Sequence, residues 1–426
     1  MQEKRSLFRT GGNNYLLPFI LLTSLFLMWG LANNMTDTLL AAFKKIMSMS
    51  DFQTSWIQIA FYGSYFCLAL PAALFIKRFN YKSGVLLGLG LFILGSLMFF
   101  PASNTRIYGH FLVALFVLAG GLSVLETSAN SYIIFLGPQE TGTRRLNLAQ
   151  SFNPIGSILG VVLSKFFILS NLNQASSADR SVMAVNELEK IQAGELSAVM
   201  GPYVGIAFIL LLIWILIAVS KMPHAHDSHD LNFGSTVKRL LKNKNYTQGV
   251  IAQFFYVGAQ IGVWSFTIRY VMQELQVNEE EASTYYIAAL IAFTLSRFIF
   301  TGLMKYFRPG TLLAVSSALA MLSSIVVILG NGMPAVIALV AISAFMSLMF
   351  PTIFGQAVRG LGADTKVAGS GLIMAILGGA ILTAVQGIVS DSTGDIHYSY
   401  LIPLLCFAVI LIYGINSEKN KALNTK

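Results

Sequence analysis

Two carboxylates occupy positions where the surrounding chain is almost uncharged. Asp37 follows Ala32-Asn33-Asn34-Met35-Thr36, and Glu126 stands in Gly120-Gly121-Leu122-Ser123-Val124-Leu125-Glu126-Thr127-Ser128-Ala129-Asn130. Of the 19 Asp and Glu residues, these two fall inside long apolar runs. An ionised carboxylate in a membrane interior is costly and needs a partner, a water-filled cavity or a proton. A carboxyl in a dry cavity favours its neutral form, so it can load and release a proton as access to it changes. Reversible protonation is the chemistry these positions suggest. The plainer alternative is structural hydrogen bonding to Asn, Ser or Arg on neighbouring helices.

Amides and aromatics gather near the two acids. Asn33, Asn34 and Thr36 lie beside Asp37, and Asn130 follows Glu126 by one helical turn. Asn147, Gln150 and Asn153 are spaced by three, and Gln253, Tyr256, Gln260 and Trp264 by three, four and four, so each set shares a helix face. Amides donate and accept at once, which suits hydroxyls, and phenol or indole rings cover the apolar face of a pyranose. This is the lining expected for a sugar. Ordinary interhelical hydrogen bonds, worth about 0.6 kcal/mol each, would use the same residues. Arg297 is the clearest base inside an apolar run; it could line a cavity, neutralise an acid or snorkel. The run His224-Ala225-His226-Asp227-Ser228-His229 lies beside Pro223 without the fixed scaffold of a zinc site, and no metal site is assigned to it.

The elements that must position these groups are membrane helices. Of the 426 residues, 55% are apolar and 11% charged, against about 25% charged in a soluble domain. Mean hydropathy is +0.68. These values exclude a disordered chain, a disulfide scaffold and an ordinary soluble enzyme. Twelve apolar runs of about 20 residues recur without period-two alternation, which predicts an all-α polytopic membrane protein. The first run starts at Tyr15, the fourth covers Tyr108–Leu136, the fifth Leu146–Leu169 and the tenth Pro334–Ala357. Helical rise puts Asp37 about 33 Å from Tyr15, in the outer half, and Glu126 at or below the midplane. Gly120-Gly121 and Gly378-Gly379 should allow close helix approach, and Pro351 should kink the tenth run. Cys67 and Cys406 are expected as packed thiols.

The net charge of +9 is concentrated in alternate loops, with Lys77, Arg78, Lys82, Arg144, Arg145 and Lys238, Arg239, Lys242 and Lys244 on one side. That asymmetry predicts both termini in the cytoplasm and leaves no case for nucleic acid. The polar stretch near the middle divides the chain into an N-terminal six-helix bundle (1–220), a cytoplasmic linker (221–248) and a C-terminal six-helix bundle (249–426). Leu74-Phe75-Ile76-Lys77-Arg78-Phe79 and Leu303-Met304-Lys305-Tyr306-Phe307-Arg308 close the second and eighth runs alike, as a duplication would. Repeated halves around a midplane site are the architecture of secondary transporters.

Ala32-Asn33-Asn34-Met35-Thr36-Asp37, Leu125-Glu126-Thr127-Ser128-Ala129-Asn130, Arg145 through Asn153 and Tyr256-Val257-Gly258-Ala259-Gln260 resemble the L-fucose:proton symporter family of the major facilitator superfamily. The resemblance covers essentially all twelve runs. It implies the major facilitator fold, alternating access, and uptake of a sugar with a proton. It also implies that Asp37 and Glu126 are the coupling carboxylates and that Asn34, Gln150 and Asn153 are cavity amides. Thr36, Ser131 and Met349-Phe350 depart from the fucose-type pattern; the last pair is more like the glucose/galactose branch, while Gln260 is less so.

The expectation is therefore a proton-coupled importer of a monosaccharide, L-fucose or a related hexose such as glucose or galactose, and not an enzyme. Asp37 and Glu126 carry the proton; Asn34, Gln150, Asn153, Tyr256, Gln260 and Trp264 bind substrate; Asn33, Thr36, Asn130, Arg297 and Phe350 line the cavity or gate it. Protons are the coupling ion and no cofactor is expected. The partners are the sugar and membrane lipid, the chain works as a monomer, and the setting is a bacterial inner membrane. The alternatives are a proton-coupled exporter of small amphiphiles, a non-transporting sugar sensor, and an intramembrane enzyme using Asp37 and Glu126. The enzyme would need two carboxyls sharing a proton, against their different depths.

Overall fold

The structure is a computed structural model. It describes residues 6–10, 13–46, 51–105, 107–171, 173, 180, 182–223 and 233–423. A two-residue antiparallel ladder, β1 (Arg9–Thr10) with β2 (Asn13–Asn14), precedes the helices. The first helices are α1 (Leu16–Ile46), α2 (Asp51–Arg78), α3 (Tyr81–Thr105), α4 (Tyr108–Phe135), α5 (Gly142–Gln150), α6 (Asn153–Phe167) and α7 (Val185–Val219). Then follow α8 (Phe233–Lys242), α9 (Lys244–Leu275), α10 (Glu279–Leu303), α11 (Pro309–Leu329), α12 (Gly332–Met346) and α13 (Met349–Ala357). The last are α14 (Thr365–Met374), α15 (Gly378–Thr393), α16 (Ile396–Ser399) and α17 (Leu401–Leu423).

Among the described residues, 12 segments are long and apolar enough to cross a membrane, as the hydropathy pattern predicts. Four of them are interrupted, the twelfth by a turn at Tyr400 between α16 and α17. The fifth breaks between α5 and α6, just before Pro154; the tenth breaks between α12 and α13, just before Pro351; the eleventh has a 3-10 turn over Ala375–Leu377 between α14 and α15. Proline removes an N–H and forces the preceding turn open. Ser151, Phe152, Ser347 and Leu348 keep right-handed helical backbone angles, so each interruption is a kink, expected at Pro351 and present also before Pro154.

Large apolar side chains such as Ile20, Phe166, Phe208, Leu212, Ile299, Leu322 and Leu405 are exposed, while Ser96, Thr127, Asn130, Asn147 and Gln253 are buried. Such a surface suits lipid, not water. Hydroxyls inside the helices satisfy themselves: Thr127 and Ser128 donate to the carbonyls of Ser123 and Val124 at 2.8 and 2.7 Å, so they add little polar cost. Cys406 is buried as expected, but Cys67 is exposed on α2.

By packing, the chain forms two compact units: Leu16–Ala129 with Phe152–Ala225, and Met1–Tyr15 with Asn130–Ser151 and His226–Lys426. This division differs from the sequence-order boundaries at 220 and 249. The segment carrying α5 groups with the C-terminal helices because α5 packs on α13 and α10.

In the first unit α1 crosses α6 through glycine. A Cβ on Gly30 would collide with the Asn153 carbonyl oxygen, and one on Gly156 with the Leu27 carbonyl oxygen. Gly88 and Gly121 let α3 and α4 touch in the same way, at Leu125 and Phe92. In the other unit Gly378 seats α15 on the Phe254 carbonyl of α9. The expected close approach at both glycine pairs is therefore present. Caps fix helix starts: Asn243 and Asn278 side chains accept from the N–H groups of Tyr246 and Glu281 at 3.0 and 2.9 Å. Gly394, at φ 67°, ends α15 in the left-handed conformation.

A matched pair of substitutions tests this crossing. Gly156→Ala drives a methyl into backbone, which no rotamer change relieves, and should destabilise by about 1–3 kcal/mol. Gly90 on α3 has nothing within 4 Å of its missing Cβ; Gly90→Ala should raise stability by about 0.5–1 kcal/mol through helix propensity. Thermal melting in detergent reads both, and equal effects would refute the backbone-contact account.

Candidate functional site

Glu126 projects from the middle of α4 and is 3% exposed. A cavity beside it is lined by Leu25, Phe26 and Trp29 of α1 and by Leu122, Leu125, Glu126 and Ala129 of α4. The wall is apolar except for the carboxyl and the indole N–H. Tyr65 of α2, itself buried, has its phenol flanked by Glu126 and Trp29. Asn33 is one turn beyond Trp29 on the same face of α1, and its Oδ1 is buried with no hydrogen-bond partner among the described residues. Asn34 reaches back toward the Gly30 carbonyl at 3.5 Å. Asn153, at the start of α6, donates to the Phe26 carbonyl at 3.3 Å. Glu126 on α4, the indole and two amides on α1, and a third amide at the start of α6 thus lie on neighbouring elements of the first unit. Asp37 and Thr36 are also on α1, but their side chains lie outside the described residues.

The other predicted residues assemble in the second unit. The amide of Gln150 donates to Asn130 Oδ1 at 2.9 Å, both side chains being buried. Asn147 donates to the Thr352 hydroxyl at 3.1 Å and to the Thr143 carbonyl at 3.0 Å. Asn147, Gln150 and Asn153 therefore address three different partners. Spacing by three assumed an unbroken helix, and Ser151–Phe152 interrupts it.

On α9 and its neighbours, Tyr256 meets the edge of Phe350 (centroids 6.1 Å apart), and Trp264 meets the edge of Phe293 (5.0 Å). The Trp264 indole donates to the Ser343 hydroxyl at 3.2 Å. Arg297 lies over the Phe293 ring at 4.4 Å, beside the Tyr256 hydroxyl. At 3% exposure it does not snorkel; its guanidinium donates to the main-chain carbonyls of Ser347 and Gln150. Gln260 is half-buried on the same helix. Gln253 is fully buried, with neither amide atom hydrogen-bonded among the described residues.

Sequence reasoning missed Trp29, Tyr65 and Phe293. Trp29 sits four residues before Asn33, and Phe293 four before Arg297, so a helical-face count from the polar residues would have found both. Tyr65 carries no such signal, because its partner lies on another helix. No group of three or more His, Cys, Asp or Glu side chains that could hold a metal occurs among the described residues. The His224, His226 and His229 run lies outside them.

The arrangement can hold a proton on a shielded carboxyl, stack a sugar ring on an indole or phenol, and read hydroxyls with amides. Comparison with known proteins points the same way. The Major Facilitator Superfamily family model matches residues 19–385. The chain is 40% identical to the L-fucose-proton symporter of Haemophilus influenzae over 418 residues, covering 95% of this chain and 97% of that one. It is 33% identical to a glucose/galactose transporter of Brucella abortus, covering 96% and 95%. A Major Facilitator Superfamily transporter crystallised in the outward conformation superposes with a TM-score of 0.89 at 39% identity, covering 95% of this chain and 99% of that one.

Proposed function

The chain belongs to the Major Facilitator Superfamily, and from that premise we propose that it is a proton-coupled symporter importing a monosaccharide, L-fucose or a related hexose such as glucose or galactose. The observation that carries the reading is Glu126, a carboxyl buried in an apolar wall beside Trp29 and Tyr65. Similarity to an L-fucose-proton symporter over nearly the whole chain supports it. In this reading Glu126 and Asp37 carry the proton, and Asn34, Gln150, Asn153, Tyr256, Gln260 and Trp264 bind sugar. Asn33, Thr36, Asn130 and Phe350 shape the path. The two halves, 1–220 and 249–426, alternate access about the linker 221–248, and α5 parts from α13 when the cytoplasmic side opens. The match to an outward conformation supports the contact of α5 with α13 as the closed cytoplasmic side.

The chain is an integral membrane protein by its 12 spans and its family. The positive loops favour a bacterial inner membrane with both termini in the cytoplasm. It works as a monomer with protons as the coupling ion and no cofactor. Reconstituted protein should take up sugar faster under an inward proton gradient and alkalinise the outside as it does so. A panel of L-fucose, D-glucose and D-galactose identifies the substrate. Uptake that ignores the gradient and a protonophore would sink the coupling, and binding without any uptake would leave a sensor.

A further inference from the structure

We propose that Arg297 is a positioning residue of the transport cycle, the latch that holds α5 to the α12–α13 break by filling two carbonyls that prolines have left open. A helical carbonyl accepts from the N–H four residues on, and proline has none. Gln150 stands four residues before Pro154, and Ser347 four before Pro351. Each carbonyl therefore loses its intrahelical donor, and there the helices stop: α5 ends at Gln150 and α12 at Met346. An unmet carbonyl in a buried, lipid-enclosed position is unfavourable.

Arg297 meets both. Its Nε donates to the Ser347 carbonyl at 2.5 Å and its Nη1 to the Gln150 carbonyl at 2.9 Å. The helix C-termini that end there carry partial negative charge, so a buried cation needs no carboxylate. Phe293 supports the guanidinium face at 4.4 Å and Tyr256 lies at its side. Only a planar fork with diverging donors spans two carbonyls on separate segments; a lysine ammonium is a point donor on a flexible stem.

The latch sits within a seam. Asn147 donates to Thr352 at 3.1 Å, Arg144 to the Thr301 carbonyl at 3.2 Å, and Thr143 packs where Gly355 has no side chain. If α5 leaves α13, Arg297 can keep one carbonyl and must abandon the other. Because prolines have removed the intrahelical donors, the abandoned carbonyl needs water. The latch thus weights the equilibrium toward the state with α5 seated, and it rests on the alternating-access reading of this protein.

The test uses full-length protein in lipid, with Cys67 and Cys406 replaced by alanine and spin labels at Glu140 and Arg359. These positions report the separation of the α5 start from the α13 end, without sugar or proton gradient. In Arg297→Met and Arg297→Lys the ratio of long to short distances should rise about tenfold, the effect of about 1.4 kcal/mol. Pro154→Ala returns a donor to the Gln150 carbonyl, so it should raise the long fraction by itself. In that background Arg297→Met should add less than in wild type. A purely structural arginine would lower the melting temperature without moving the distances. Should Arg297→Met fail to fold, Arg297→Lys and Pro154→Ala decide the matter. Unchanged distances in both overturn the latch. A shift in distances with no sugar uptake by wild type would uphold the latch and sink the symporter reading instead.

Discussion

Glu126→Gln is expected to keep sugar binding and exchange while losing proton-driven accumulation. The amide has the size of the protonated carboxyl and its hydrogen-bonding pattern, so the wall of Leu25, Phe26, Trp29, Leu122 and Leu125 should stay packed around it. What disappears is the ability to release a proton when the cavity opens to the cytoplasm. Accumulation against a gradient should fall about tenfold or more, a change of about 1.4 kcal/mol or more in the coupled step. Counterflow exchange, which needs no net proton movement, should remain within a few-fold of wild type. Measuring both in proteoliposomes separates coupling from binding. Persistent accumulation in Glu126→Gln would remove this residue from the proton path.

Asp37→Asn should lower proton-driven uptake by about tenfold or more, with expression and melting temperature near wild type. Trp29, Asn33 and Asp37 follow one another at four-residue intervals in the sequence, the spacing of one helix face. Two turns separate Trp29 from Asp37, about 12 Å of rise. A relay lacking one member cannot be reset by protonation, whereas a structural hydrogen bond would survive in the amide. If Asp37 is only structural, Asp37→Asn should transport normally and Asp37→Leu should lose its fold. Uptake and thermal melting on both variants distinguish the two.

How legible the site was in the sequence varied with the physics behind each residue. Twelve spans and the intramembrane position of Glu126 follow from hydropathy, because lipid excludes charge wherever the helices happen to pack. Pro351 announced a kink because a missing N–H is a covalent fact. The same logic applied to Pro154 but was hidden by a regular spacing of Asn147, Gln150 and Asn153, which describes one face only if the helix continues. Across the kink at Ser151–Phe152 those three amides bond to Thr352, Asn130 and the Phe26 carbonyl.

Partners across helices depended on tertiary structure throughout. That Tyr65 lies beside Glu126, that Arg297 is held by Ser347 and Gln150 instead of an acid, and that α5 groups with the C-terminal helices are all long-range facts. Hydropathy and helical periodicity record what a residue does within its own segment. They hold no information about which of eleven other spans it meets, because in lipid that choice rests on close packing at glycines such as Gly30 and Gly156 and on polar groups left without a local partner.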